Sequence, residues 1–221
     1  MSSTGDRADA LSGLTCADLV DAMGRLHRHR CHVLDLVSPT PGRVLFGAVA
    51  TISYFPTCSV ALDPQRYNFA NLFYEAVGDQ PAGKVLVLGS NGYTDTSMGG
   101  GTKLFRLQEH GLAGVLTDGR LRDFEELAGY QFAAYCSGEA THWGGDVVTP
   151  FQANVPVVVG GVGVMPGQYV YADAAGAVVI PEDELDDVLA EARRIEAEDE
   201  AFRARIAGEG TSGTSTGASE R

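Results

Sequence analysis

The segment from Lys84 to Thr117 constrains the fold of this chain more than any other. KVLVLG is a short apolar run closed by glycine, the pattern of a strand buried on both faces. A polar, glycine-rich loop follows, SNGYTDTSMGGG, and then TKLFRLQEH, a helical stretch ended by Gly111. The run GVLT at residues 114–117 is the next strand. Strand, glycine loop, helix, strand is a βαβ unit, so the two strands are expected to be parallel and joined by a right-handed crossover. An α/β fold with a mixed sheet follows from that unit and from its surroundings.

Thr15 and Asp18 form a capping box, with Asp in place of the usual Glu, and open a helix over residues 17–26. Residues 43–54 are β-branched and apolar enough for a strand, and residues 67–77 repeat apolar side chains at helical spacing. Short strands broken by Gly and Pro are expected at 131–135, 155–164, 169–172 and 177–180. A long charged helix is expected over 182–206, with Leu185, Val188, Leu189, Ala192 and Ile195 on one face. Residues 1–12 are expected to form a flexible N-terminus, 13–207 a single α/β domain, and 208–221, rich in Gly, Ser and Thr, a disordered tail.

Charge narrows the function classes. Twenty-nine acidic residues against sixteen basic ones give a net charge of −13, which repels phosphate backbones and argues against nucleic-acid binding. No apolar run approaches the roughly 20 residues that span a bilayer, so no membrane partner is expected. MSSTGDRADALSG has no charged region ahead of an apolar core, and no signal peptide is expected. Four widely spaced cysteines without a CxxC pair fit free thiols and a cytoplasmic location.

Two elements carry candidate chemistry. Asp118, Arg122 and Asp123 follow a strand, where ligands collect in open α/β sheets. Two carboxylates across a glycine turn can converge on a hard cation, and Arg122 offers a planar donor fork to a carboxylate or carbonyl oxygen. The same spacing equally describes a solvated turn with a local ion pair. The second element is GGGTK at residues 99–103, at a helix start whose exposed N–H groups can take an anion; a flexible loop with a glycine cap is the alternative. Both elements follow strands of one βαβ unit, an arrangement suited to a small 2-oxo acid. Among weaker candidates, His27, His29, Cys31 and His32 match no standard zinc spacing, Cys58 is by default a packed thiol, and His142–Trp143 is either a substrate contact or a loop anchor.

Three stretches together resemble one family: GLAGVLTDGRLRD, NVPVVVGGVGVMPGQYVYADAAGAVVIP and the opening LTCADLVDAMGR. They are similar to the RraA-like family, which includes the 4-hydroxy-4-methyl-2-oxoglutarate aldolases, and the resemblance runs over residues 13–206. It implies a swivelling β/β/α domain with a mixed sheet, flanking helices and a long C-terminal helix, assembled as a homotrimer or hexamer with active sites between subunits. It implies that Asp123 holds Mg²⁺ or Mn²⁺ partly through water, that Arg122 contacts the 2-oxo oxygen, and that Asp118 positions a metal-bound water. Backbone N–H groups of Gly100, Gly101, Thr102 and Lys103 would hold the substrate carboxylate. The implied reaction is carbon–carbon cleavage through an enolate, by an aldolase or an oxaloacetate decarboxylase. Glu196, Glu198 and Glu200 are candidates to complete a neighbouring subunit's site, or else a solvated helix face.

The chain departs from the family where Gly-Glu-Leu-Leu is frequent and Gly100-Gly101-Thr102-Lys103 stands instead. Residues 55–77 are unusually aromatic, and the loop from Ser90 to Met98 carries Asn91, Tyr93 and Asp95. Two alternatives accompany the resemblance. One is a non-catalytic regulator that binds a ribonuclease. The other is a recruited enzyme of specialised metabolism with related enolate chemistry on another substrate. No cofactor fingerprint of a Rossmann methyltransferase is present.

Overall fold

The structure, a computed structural model, describes residues 11–27 and 29–212. The expected flexible N-terminus up to residue 10 and the tail beyond residue 212 lie outside the described residues. Two compact units divide the chain, one of residues 29–185 and one of residues 1–28 with 186–221.

In the smaller unit, helix α1 (Cys16–Leu26) starts with the expected capping box, in which Thr15 and Asp18 satisfy each other's backbone N–H groups. The long C-terminal helix runs on past residue 206 to Ser212. Within this unit Arg25 bridges Glu191 and Glu198, each at 3.0 Å.

The larger unit holds a mixed eight-stranded sheet. In chain order its strands are β1 (His32–Val33), β2 (Leu45–Pro56), β3 (Val85–Gly89), β5 (Gly114–Thr117), β7 (Ala133–Tyr135), β8 (Val148–Ala153), β11 (Tyr169–Asp173) and β12 (Gly176–Ile180). The order across the sheet is β1-β12-β11-β2-β3-β5-β7, with β8 added antiparallel along β2. Strands β2, β3, β5 and β7 are parallel, so the βαβ reading of residues 84–117 holds. The remaining pairings are antiparallel.

Period-two alternation splits the core between the two sheet faces. Leu86 and Leu88 of β3 join one apolar cluster, while Val85 and Val87 join the other. The first cluster is covered by α2 (Phe69–Val77) through Phe69, Leu72 and Phe73, by α3 (Gly101–Glu109) through Leu104 and Leu107, and by α4 (Phe124–Ala128) through Leu127. The second is covered by a hairpin of β9 (Val157–Val159) and β10 (Val162–Val164), which replaces the single strand expected over 155–164. Helix α5 (Leu185–Ser212) follows a short 3₁₀ turn at Glu182–Glu184.

Two very short strands position the chemistry. β4 (Ser97–Gly99) lies in the glycine loop and pairs in parallel with β6 (Arg120–Leu121), directly after the βαβ unit. This pairing brings the glycine cradle and the RLRD segment side by side. The buried Tyr54 hydroxyl donates to the Met98 carbonyl, and Ser97 Oγ donates to the Gly99 carbonyl at 3.0 Å, so β4 is anchored from below. Burial pushes the Tyr54 hydroxyl well above its usual titration range, so it remains a donor.

Candidate active site

Ser97, Gly99, Gly100, Thr102, Lys103, Arg122, Asp123 and Trp143 line a cavity of about 170 Å³ between the β4–α3 segment and the residues that follow β6. Asp123 is the N-cap of α4 and sits at φ 63° and ψ 48°, a left-handed conformation that is uncommon for a residue with a side chain. Its side chain does not cap its own helix. Glu139 Oε1 takes that role by accepting from Phe124 N at 3.0 Å. The Asp123 carboxylate is thereby released toward the cradle, where Oδ2 accepts from Gly101 N at 3.1 Å. Its other oxygen lies 3.7 Å from the Arg122 guanidinium.

A side chain at position 100 would push against Asp123 and Arg122. A Cβ there would stand 2.6 Å from Asp123 Oδ2 and 3.0 Å from Arg122 Cβ. At position 101 a Cβ would collide with the Glu126 carboxylate, whose Oε1 would lie only 2.7 Å away and Oε2 closer still. Tyr130 donates to Glu126 Oε1 at 2.6 Å and lies 3.3 Å from the Gly101 carbonyl. Burial, the bond to Glu126 and the charges of Glu126 and Asp123 push the Tyr130 hydroxyl up to about 12.

Lys103 lines the cavity from the first turn of α3, its Nζ 5.9 Å from the Phe69 ring centroid. Burial, with the neighbouring charges of Arg122 and Arg106, lowers its pKa below the usual lysine range. An anion placed beside it would relieve both penalties. Of the four residues expected to form the cradle, Gly100, Thr102 and Lys103 line the cavity, while Gly101 spends its N–H on Asp123. Trp143 lines the same space, whereas its neighbour His142 pairs with Asp146 at 2.9 Å beside an adjoining cavity.

Asp118 is not brought into this group. Its Oδ1 accepts from Ser90 N at 3.0 Å and its Oδ2 from Gly160 N at 3.2 Å. It lines a separate cavity of about 390 Å³ with Ser53, Asn91 and Gly92. The carboxylate ties the loop after β3 to the β9–β10 turn.

Among the described residues no three His, Cys, Asp or Glu side chains cluster as a metal site, so His27, His29, Cys31 and His32 do not converge. Cys58 is exposed and not packed as expected, Cys16, Cys31 and Cys136 are buried, and none of the four forms a disulfide. Glu196 pairs with Arg193 and Glu198 with Arg25, while Glu200 is exposed on the same helix. Asp123 supplies the carboxylate among the residues that line this cavity, the oxygen ligand type that a hard divalent cation takes while keeping several waters. Sequence reasoning missed Glu126, Glu139 and Tyr130; the spacing of four between Glu126 and Tyr130 was the available signal.

Sheet order and site together define an α/β protein with a small cavity between the glycine-rich start of α3 and the Arg122–Asp123 pair. The chain belongs to the RraA-like family, whose model, Aldolase/RraA, matches residues 16–179. A 4-hydroxy-4-methyl-2-oxoglutarate aldolase of Thermus thermophilus is 33% identical over 116 residues, covering 50% of this chain and 67% of that protein. A relative from Halalkalibacterium halodurans, provisionally given the same name, is 31% identical over 127 residues. That match covers 58% of this chain and 60% of the relative, so the chain spans less than two thirds of that protein's length. The crystal structure of Streptomyces coelicolor RraAS2, described as an unusual member of the RNase ES inhibitor RraA protein family, superposes with a TM-score of 0.78 at 25% identity. It covers 92% of this chain and 100% of the other. Both aldolases and ribonuclease inhibitors therefore stand among its relatives. No helix among the described residues is long and apolar enough to cross a membrane.

Proposed function

We propose that this protein is a divalent-metal-dependent lyase that cleaves a carbon–carbon bond of a small 2-oxo acid through an enolate. One observation carries the reading: Asp123 is freed from capping by Glu139 and turned into a cavity that also holds Arg122 and Lys103. A regulator that works through surface contacts has no need of a left-handed aspartate held in that position.

Asp123 would hold Mg²⁺ or Mn²⁺, which supplies Lewis acidity toward the 2-oxo oxygen. Lys103 and the first-turn N–H groups of α3 bind the substrate carboxylate at the positive end of the helix. As the 4-hydroxyl gives up its proton to water and C4 becomes the carbonyl of one pyruvate, the C3–C4 electron pair spreads onto the 2-oxo oxygen, and the Arg122 guanidinium would donate to that developing charge. Protonation at C3 then yields pyruvate. The same charge develops when oxaloacetate loses carbon dioxide, so 4-hydroxy-4-methyl-2-oxoglutarate and oxaloacetate are the substrates of choice. The buried stem of Lys103 and the ring of Trp143 limit the cavity to small acids. Asp118 serves this site as a positioning residue, by fixing the loop that precedes the cradle. A cytoplasmic homo-oligomer, trimeric or hexameric, belongs to the same reading.

The test is pyruvate release from both substrates with Mg²⁺ or Mn²⁺, then with a chelator. Turnover is expected to require the metal and to fall about 100-fold or more in Arg122→Ala and in Asp123→Ala, as loss of a main charge stabiliser does. Undiminished turnover in those variants overturns the proposal.

A further inference from the structure

The chain carries sixteen basic residues, and fourteen of them are arginine. Arginine stays charged, so only the two lysines, Lys84 and Lys103, can offer a side-chain amine as a nucleophile. Lys84 has a structural partner: its Nζ donates to the Val77 carbonyl at 2.8 Å. Lys103 stands in the first turn of α3, half-buried, and lines the same cavity as Arg122, Asp123 and Trp143. The acid of that cavity, Asp123, is engaged by Arg122 and by Gly101 N. The charges that act on Lys103 are those of Arg122 and Arg106, and both add to burial in disfavouring its ammonium form. A lysine desolvated beside another cation is a setting in which the free amine becomes available for attack on a carbonyl.

In a 2-oxo acid the carbonyl carbon, C2, is bonded directly to the carboxylate carbon. An amine that holds the carboxylate therefore stands one bond away from an electrophile. Building on the 2-oxo acid reading above, but not on its metal, we infer that Lys103 is a catalytic nucleophile that captures C2 of the substrate as an imine. The ammonium first passes one proton to water. The amine nitrogen then forms a bond to C2, and the 2-oxo oxygen leaves as water. Of the three ammonium protons, two depart on that oxygen, one of them by way of the solvent, and the third stays on nitrogen. The resulting iminium keeps the positive charge beside the substrate carboxylate, and the step needs no oxidant or reductant. When a C3–H bond of bound pyruvate breaks, its electron pair moves into C2–C3 and neutralises the iminium nitrogen, while the proton goes to water. Reversal returns a solvent proton to C3.

The experiment is borohydride reduction of the full-length protein with pyruvate in excess chelator, read by intact mass and peptide mapping. Hydride turns the iminium into a stable secondary amine. Each chain is expected to gain the mass of one pyruvic acid less one oxygen, on the peptide that contains Lys103. Lys84→Arg is expected to keep this adduct. Lys103→Arg retains a cation in the cavity without an amine and is expected to lose the adduct entirely. In the same variant, exchange of pyruvate C3 protons in D₂O with chelator is expected to fall to the rate without protein. Lys103→Met, with its melting followed by circular dichroism, is expected to lose both signals as a folded protein. No adduct in the wild type, an adduct on Lys84 or the N-terminal amine alone, or undiminished exchange in Lys103→Arg overturns the inference. Metal-dependent turnover without an adduct overturns it and leaves the metal-dependent reading intact. An adduct at Lys103 in a protein without metal-dependent turnover supports it and overturns that reading.

Discussion

Asp118 and Asp123 stand five residues apart, one directly after β5 and the other after β6, and meet opposite surroundings. Both oxygens of Asp118 are committed to backbone N–H groups that lie 28 and 42 residues away in the chain. Asp123 gives one oxygen to the backbone and turns the other toward Arg122, while its own helix is capped by Glu139. One carboxylate is spent on holding two loops together. The other is relieved of local duty and left accessible in a cavity. Chemical type and spacing in sequence do not distinguish them; the neighbours that reach each one do.

The same substitution at both positions breaks this comparison most directly. In Asp118→Asn the amide retains one acceptor oxygen, and its NH₂ group faces a backbone donor. Loss of a charged acceptor should cost about 2–3 kcal/mol. Thermal unfolding should then show a midpoint lowered by roughly 5–10 °C. Asp123→Asn keeps an acceptor for Gly101 N, and Asn tolerates the left-handed conformation. Its stability should stay within about 0.5 kcal/mol of wild type. Equal melting of the two variants would refute the division of labour.

Gly100→Ala tests the accessible half alone. A Cβ 2.6 Å from Asp123 Oδ2 must displace that carboxylate or the Arg122 stem. Turnover should fall by about 10- to 100-fold, the scale of a misplacement near 1 Å, with a smaller effect on the melting temperature. Full activity in Gly100→Ala would mean that Asp123 is not used where it stands.

Lys103 gives the smallest effect and a sign that can be checked. Its folded pKa lies below the unfolded value, so the charged amine is disfavoured in the fold. Stability therefore rises as pH climbs through the lowered pKa toward the ordinary lysine value. Anion binding runs the other way: pyruvate affinity of the metal-free protein should be full below the lowered pKa and decline as pH passes it. In Lys103→Met that alkaline decline should vanish, and stability at neutral pH should rise slightly. An unchanged pH profile in Lys103→Met would exclude the lysine from the cradle.

Much of the framework was legible in the residues. The Thr15–Asp18 capping box acts through neighbouring groups, and KVLVLG with GVLT carries the uninterrupted apolar pattern of strands covered on both faces. The parallel pairing of β3 with β5 followed from the helix between them. Strands β4 and β6 were not legible, because elements of two or three residues carry no period and exist only by pairing with each other. Helix α4 was hidden for a related reason: its N-terminal residue is left-handed and its cap arrives from Glu139.

The chain's own order of residues determined that a βαβ unit would form and that a glycine-rich segment and an acidic motif would follow its two strands. Those are consequences of local propensity, apolar spacing and chain connectivity. Which carboxylate faces the cavity was decided only by the tertiary structure. The hydrogen bonds that Ser90 N and Gly160 N donate to Asp118, and the one that Glu139 accepts from Phe124 N, depend on where distant backbone comes to rest.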